Sequence, residues 1–201
     1  MELIAHRRDS IADLRSTDTA LGVEVDIRSN DGELIIHHDP FAEGERFEDW
    51  ISEYQHGTLI LNVKEEGLEP TLIDVMDRHQ ITEYFFLDQS FPFLLKWWEA
   101  AGGRSAVRVS EYESVGTALA LAGKVNWVWI DCFTRFPLGR QDADRLTDSG
   151  LKLCIVSPEL QGRDPVKEIS ALARQLDDLE ITPDAVCTKR PDVWDSTAIR
   201  R

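Results

Sequence analysis

Gly22-Val23-Glu24-Val25-Asp26-Ile27 leads through Asn30-Asp31-Gly32 into Ile35-Ile36-His37-His38-Asp39-Pro40. An apolar run of this length with β-branched residues reads as a strand. Side chains two apart on a strand share a face, so Glu24 and Asp26 point the same way. Two carboxylates side by side among valines repel each other and are costly to desolvate. A cation between them is the usual resolution. The Asp-Gly turn and the apolar run 33–38 behind it predict a hairpin-like extension. Leu3-Ile4-Ala5-His6-Arg7, nearer the N-terminus, has the same form: a short apolar strand that ends in ionisable groups.

Outward from these stretches, apolar runs alternate with amphipathic or charged ones. Main strands are expected at 2–6, 22–27, 58–63, 83–88, 105–109, 126–131, 151–156 and 184–188. Helices are expected at 10–18, 46–54, 68–79, 91–101, 113–122, 140–148 and 164–176. Gly102-Gly103, Gly123 and Gly150 stand where helices should stop before strands. Alternating strands and helices with short connections predict a parallel sheet. Eight main strands in that rhythm favour closure into an α/β fold of the (β/α)8 TIM-barrel type over an open sheet. No linker, repeat or charge-segregated tail interrupts the chain, so residues 1–201 are expected to form a single domain.

The 201 residues carry 22 Lys plus Arg against 37 Asp plus Glu, a formal charge of −15. Such a surface repels nucleic acid and anionic headgroups, so no nucleic-acid partner is expected. A small anionic substrate remains compatible with a locally cationic pocket. Cys132, Cys154 and Cys187 lie in or just after apolar runs and form no CxxC pair, which reads as buried thiols of a cytosolic protein. The N-terminus lacks a basic-then-apolar leader, and no run approaches the about 18 apolar residues of a membrane span. A soluble, cytoplasmic protein is expected. The oligomeric state is not legible.

Barrel enzymes place their chemistry at the C-terminal ends of the strands. Those ends read His6-Arg7, Glu24 and Asp26, Asn62 and Lys64, Asp88, Arg108 and Ser110, Asp131, Ser157, and Thr188-Lys189. Strand ends are wet, which accounts for Ser157, Asp131 and Asp88. It accounts less well for Glu24, Asn62 and Lys64, which are flanked by Val, Leu and Ile. Glu24 with Asp26 reads either as a metal site or as a pair neutralised by Arg or Lys. Lys64 reads either as a phosphate ligand or as the partner of those carboxylates. Alternation lets only one of His37 and His38 face the mouth. Asp88, Arg108 and Glu111 are candidate pocket residues. Trp97, Trp98, Trp127 and Trp129 read as packing residues, and His56 and His79 as surface residues.

These motifs resemble the glycerophosphodiester phosphodiesterase family. That family opens on a strand running into His-Arg-Gly, matched by Ile4-Ala5-His6-Arg7. Its Glu-x-Asp strand, Asp-Gly turn and His-Asp strand are matched by Glu24-Val25-Asp26, Asp31-Gly32 and Ile35-Ile36-His37-His38-Asp39-Pro40. Leu61-Asn62-Val63-Lys64 is similar to its Glu-x-Lys strand, Gln89-Ser90-Phe91 to its Ser-Phe element, and Thr188-Lys189-Arg190-Pro191 to its closing Thr-Asp-Arg-Pro. The matches come in order along nearly the whole chain. The resemblance implies a barrel of the phospholipase-C-like type that hydrolyses a small phosphodiester with one divalent cation, Mg²⁺ or Ca²⁺, in lipid metabolism. It implies His6 and His38 as general acid and base, Arg7 and Lys64 as phosphate-binding groups, and Glu24, Asp26 and Asn62 at the metal. Imidazoles titrate in the range both proton transfers need, and cations stabilise charge on phosphoryl oxygens.

The chain departs from the pattern at Arg8, where the family has Gly, and at Asn62, where it has a third acidic ligand. It departs again at Lys189, where the family has Asp. The Glu-Asn-Thr segment after the first strand has no counterpart, and only Phe41 to Gly57 stands where the family carries an insertion. The alternative these departures support is a divergent, non-catalytic relative that binds a sugar phosphate or a partner protein.

Overall fold

The computed structural model describes residues 1–197. In chain order they form β1 (Glu2–Ala5), α1 (Ile11–Ser16), β2 (Gly22–Asn30), β3 (Glu33–Ile36), β4 (Glu45–Arg46), α2 (Phe47–Ile51), β5 (Leu59–Val63), α3 (Glu69–Arg78), β6 (Tyr84–Leu87), α4 (Phe91–Trp97), β7 (Ala106–Val109), α5 (Val115–Ala120), β8 (Trp127–Ile130), α6 (Arg140–Asp148), β9 (Lys152–Val156), a 3₁₀ turn (Pro158–Gln161), α7 (Pro165–Asp178), β10 (Ala185–Thr188) and α8 (Pro191–Asp195). The residues fall into two compact units. One is His6–Ser105; the other is Met1–Ala5 with the described residues from Ala106 onward.

In the His6–Ser105 unit, β5 pairs in parallel with both β2 and β6. β3 extends β2 antiparallel, and β4 extends β3. The hairpin register sets Asn30 against Glu33. Asp31 and Gly32 make the turn at φ 50° and 84°, the left-handed backbone that a two-residue hairpin needs and that Asp-Gly tolerates. Val23, Val25 and Ile27 join Leu14, Phe47, Trp50, Leu59, Leu61 and Leu72 in one buried apolar cluster. Strand alternation turns Glu24, Asp26 and Arg28 to the opposite face. Ser10 caps α1 by accepting from the Asp13 amide at 3.0 Å, an N-cap of about 1 kcal/mol.

The second unit holds β1, β10, β9, β8 and β7 paired in parallel in that order. α7 starts at Pro165 behind Asp164, whose carboxylate accepts from the Lys167 amide at 2.8 Å. It buries Ile169, Leu172, Ala173 and Leu176, the i, i+3, i+4, i+7 stripe of an amphipathic helix. Trp194 on α8 is fully buried and donates from Nε1 to Ser157 Oγ at 2.7 Å. Cys132, Cys154 and Cys187 are buried, and no disulfide joins them.

Over the described residues, β1, β2 and β5 to β10 alternate with helices, the β3–β4 extension standing between β2 and α2 and the 3₁₀ turn between β9 and α7, which is the (β/α)8 order. The expected elements are present with ends one to four residues shorter in most cases. Three elements were not foreseen. β4 is two charged residues with no apolar signal, and the Pro158 turn and α8 are single turns behind prolines. The expected strand 33–38 is corrected to end at Ile36. The His37 amide still reaches Asp26 O at 3.1 Å. Beyond it the guanidinium of Arg28 takes His38 O at 2.9 and 3.1 Å and pulls the chain off the ladder. The alternation argument for choosing between the two histidines therefore does not apply. No helix among the described residues is long and apolar enough to cross a membrane.

Candidate active site

His6, Arg7, Glu24, Asp26, His38, Asn62, Lys64 and Asp88 all belong to the His6–Ser105 unit. Pairing β2 with β5 sets Asp26 directly beside Asn62, so the body of β2 and the end of β5 bring together four polar side chains, Glu24, Asp26, Asn62 and Lys64. Glu24 and Asp26 are fully buried.

Each carboxylate has its own partners. Asp26 Oδ2 lies 3.1 Å from Arg7 Nε, and Asp26 Oδ1 lies 3.2 Å from Lys64 Nζ. Lys64 Nζ also reaches Asp88 Oδ2 at 3.4 Å. Glu24 Oε1 accepts from Asn62 Nδ2 at 2.8 Å, and Glu24 Oε2 accepts from the Arg7 amide at 2.8 Å. His6 Nε2 stands 3.7 Å from Glu24 Oε2. Burial pushes the Glu24 carboxyl up to about 8, and the charge of Asp26 adds to the push, while the Asn62 and Arg7 hydrogen bonds oppose it. Arg7 and Asp88 sit at φ 52° and 63°. Left-handed backbone at two non-glycine residues of one site costs energy that the surrounding contacts must hold.

The second histidine lies on the hairpin loop. His38 Nδ1 is 2.8 Å from Asp39 Oδ1, and that hydrogen bond holds the Asp39 carboxyl below its ordinary range. An imidazole oriented by a carboxylate at one nitrogen keeps the other for proton transfer. His37 is turned away from this role: its Nδ1 accepts from the Asp39 amide at 2.9 Å.

Two residues that sequence reasoning passed over fix these positions. Arg28 follows Asp26 by two on the same face of β2. Besides His38 O it donates to Lys64 O at 3.2 Å, tying the ends of β3 and β5 together. Asp9 Oδ1 accepts the Asp26 amide at 3.0 Å, and burial raises its carboxyl to about 6. The alternation that pairs Glu24 with Asp26 also points to Arg28. Asp9 lies in a loop and carries no such signal.

Arg108 and Glu111, the remaining candidates, lie in the second unit and are held by neighbours there. Arg108 Nη1 donates to Asp131, which also accepts from Gln161 Nε2 at 2.6 Å. Glu111 Oε1 accepts from the Thr134 amide and hydroxyl, both at 2.7 Å, and from the Arg135 amide at 2.9 Å. Burial alone would raise the Glu111 carboxyl; these donors overcome it and bring it down to about 2. This unit also holds a cavity of about 220 Å³ lined by Cys132, Phe136, Pro158, Arg163 and Leu172.

A divalent ion does not fit the donor set as it stands. No group of three or more His, Cys, Asp or Glu side chains among the described residues gathers as a metal centre. The two Asp26 oxygens each face a cation, and the two Glu24 oxygens each accept a hydrogen bond. An ion set against Asp26 would meet Arg7 and Lys64 at close range. Each unit-charge repulsion at ~4 Å is worth about 4 kcal/mol at an effective dielectric near 20, and double for a 2+ ion.

The fold and its alternation define the chain as a (β/α)8 TIM barrel, and solved structures carry the same arrangement. A glycerophosphodiester phosphodiesterase from Agrobacterium tumefaciens is 14% identical at TM-score 0.67, covering 99% of this chain and 98% of that one. A glycerophosphoryl diester phosphodiesterase from Parabacteroides distasonis is 14% identical at TM-score 0.69, covering 99% and 89%. A mutant tryptophan synthase α-subunit from Pyrococcus furiosus is 10% identical at TM-score 0.61, covering 99% and 92%. No family model and no curated protein matches the chain.

Proposed function

We propose that this chain is a single-domain, cytosolic barrel that hydrolyses a small, glycerophosphodiester-like substrate through two histidines. The observation that carries the reading is the contact network that joins His6, Arg7, Glu24, Asp26, Asn62, Lys64 and Asp88, seven residues drawn from four stretches of sequence, with the backbone of His38 tied to that of Lys64 through Arg28. The whole-length likeness to two phosphodiesterase structures supports it, and three buried thiols without a disulfide support the cytosolic setting.

A phosphodiester is a monoanion with a poor alkoxide leaving group. In this reading one of His6 and His38 takes the proton of the attacking water as the new P–O bond forms. The other donates a proton to the departing alkoxide, so the products are a phosphomonoester and an alcohol. Asp39 orients His38. Arg7, whose side chain is 38% exposed, is the cation open to the substrate phosphate, with Lys64 behind it. The Mg²⁺ or Ca²⁺ that the resemblance implies has no part in these steps, because the donor set does not fit it.

Release of alcohol from glycerophosphocholine and from a chromogenic phosphodiester, in chelator and in Mg²⁺, Ca²⁺ or Mn²⁺, tests the proposal. Turnover is expected, with His6→Ala and His38→Ala each lowering kcat by roughly 10²–10⁴-fold. Absence of turnover in every condition overturns it. The second reading, a relative that binds a phosphorylated ligand without cleaving it, is favoured by one observation: Asn62, where the family has a third acidic ligand, donates to Glu24 and adds no charge to the site. Thermal stabilisation by glycerol phosphate together with no turnover would select it.

A further inference from the structure

We propose that the Glu24–Asp26 pair takes no divalent cation: Arg7 and Lys64 supply its counter-charge from within the chain, and Asn62 fixes Glu24 where a third carboxylate would stand. The inference concerns the same site as the hydrolase reading but needs no turnover, so the two fail separately.

Two buried carboxylates on one strand face must be neutralised or protonated. Asp26 is fully buried, and each oxygen has a cation within 3.2 Å. Lys64 is only 14% exposed in its side chain, so its ammonium is committed to Asp26 and Asp88 rather than to water. Glu24 is also fully buried, and both of its oxygens accept hydrogen bonds from within the unit. Hard divalent ions take several oxygen ligands, with carboxylates supplying the charge. Both Asp26 oxygens make ion pairs but no hydrogen bond, and beside them stands a neutral oxygen, Asn62 Oδ1, buried with no hydrogen-bond partner. Recruiting it would require Asn62 to give up Glu24, and would require both Asp26 cations to withdraw. The geometry therefore describes a site whose positive charge is built in. Asn62 decides this, because it lies beside Asp26 in the sheet register and 2.8 Å from Glu24. A carboxylate in its place would make three acids at contact distance, with two cations to balance them.

The test is a titration of the wild-type chain and of Asn62→Glu with Mg²⁺, Ca²⁺ and Mn²⁺, read by calorimetric binding and by thermal unfolding in chelator-treated buffer. The wild type is expected to show no saturable binding at the site and a Tm shift within about 1 °C. Asn62→Glu is expected to unfold at a lower temperature without metal. It should regain about 5 °C or more at a free ion concentration ~100 times Kd. If Asn62→Glu does not fold, Asn62→Asp takes its place in the same titration. Saturable binding of any of the three ions to the wild type, abolished by Glu24→Ala, would overturn the inference. So would an Asn62→Glu chain that folds but gains no affinity for any ion.

Discussion

The two units solve the same problem at their strand ends in opposite ways. In the second unit, Asp131 and Glu111 are surrounded by donors: Arg108 and Gln161 on one, Thr134 and Arg135 on the other. In the His6–Ser105 unit, Glu24 and Asp26 are fully buried on one strand face; two cations answer Asp26, while Glu24 has two neutral donors. The contrast shows in two glutamates. Donors carry Glu111 down to about 2, and burial carries Glu24 up to about 8. A polar rim that satisfies itself keeps its carboxyls ionised, whereas carboxylates buried against each other hold one carboxyl far above its ordinary range, the feature on which the proposed site rests.

Removing one cation from each unit gives the largest contrast. Lys64→Met leaves Asp26 buried with Arg7 as its remaining cation, and a loss of about 3 kcal/mol is expected in urea unfolding. Arg108→Met leaves Asp131 with the Gln161 donor, and a loss of about 1–2 kcal/mol is expected. Equal losses would erase the distinction between a buried charge that depends on its counter-ion and one that shares donors.

The two glutamates also predict opposite responses to pH. Glu24 holds its proton to about pH 8 when folded but releases it near 4.5 when unfolded. The folded state therefore binds the extra proton between these values, and stability falls as pH rises through that window. Asp9 acts in the same sense between its ordinary value and about 6. Glu24→Gln should flatten the decline measured by unfolding at pH 5 to 8. Glu111 works the other way. Its carboxylate stabilises the fold above about 4.5, and that contribution disappears as pH falls through about 2. Glu111→Gln should thus cost about 1 kcal/mol at pH 7, after discounting for its near-surface position, and progressively less as pH falls toward about 2. A Glu24→Gln chain with an undiminished pH slope would remove the electrostatic strain assigned to this site.

The barrel was legible because each parallel strand is a short apolar run set between amphipathic ones. The elements that escaped are those without such a run: Glu45–Arg46 pairs through backbone alone, and α8 is one turn behind Pro191. Strand-end reading also found Glu24, Asp26, Asn62 and Lys64. It did not resolve whether Lys64 would serve phosphate or carboxylate, because spacing along one strand says nothing about a neighbour's oxygen. The contact of Lys64 Nζ with Asp26 Oδ1 at 3.2 Å depends on how β2 lies beside β5, and register is a tertiary property. Arg28 could have been read from the period-two pattern that pairs Glu24 with Asp26. His38 could not, since its position depends on where Arg28 draws the chain out of the ladder.

Gly32 and Gly150 have nearly the same backbone, φ 84° and 85°, and an added Cβ would meet nothing within 4 Å at either. Each substitution by Ala should therefore cost only the left-handed strain, about 1 kcal/mol. Gly32 turns the hairpin whose far end carries His38, while Gly150 follows α6 in the second unit. If the loop after β3 is held to the site by Arg28 alone, the two variants should lose the same stability in parallel urea titrations. Gly32→Ala should then change kcat less than twofold. A larger loss at Gly32, or a fall in kcat there and not at Gly150, would mean that the turn itself sets the position of His38. The hairpin would then belong to the catalytic apparatus rather than to the scaffold.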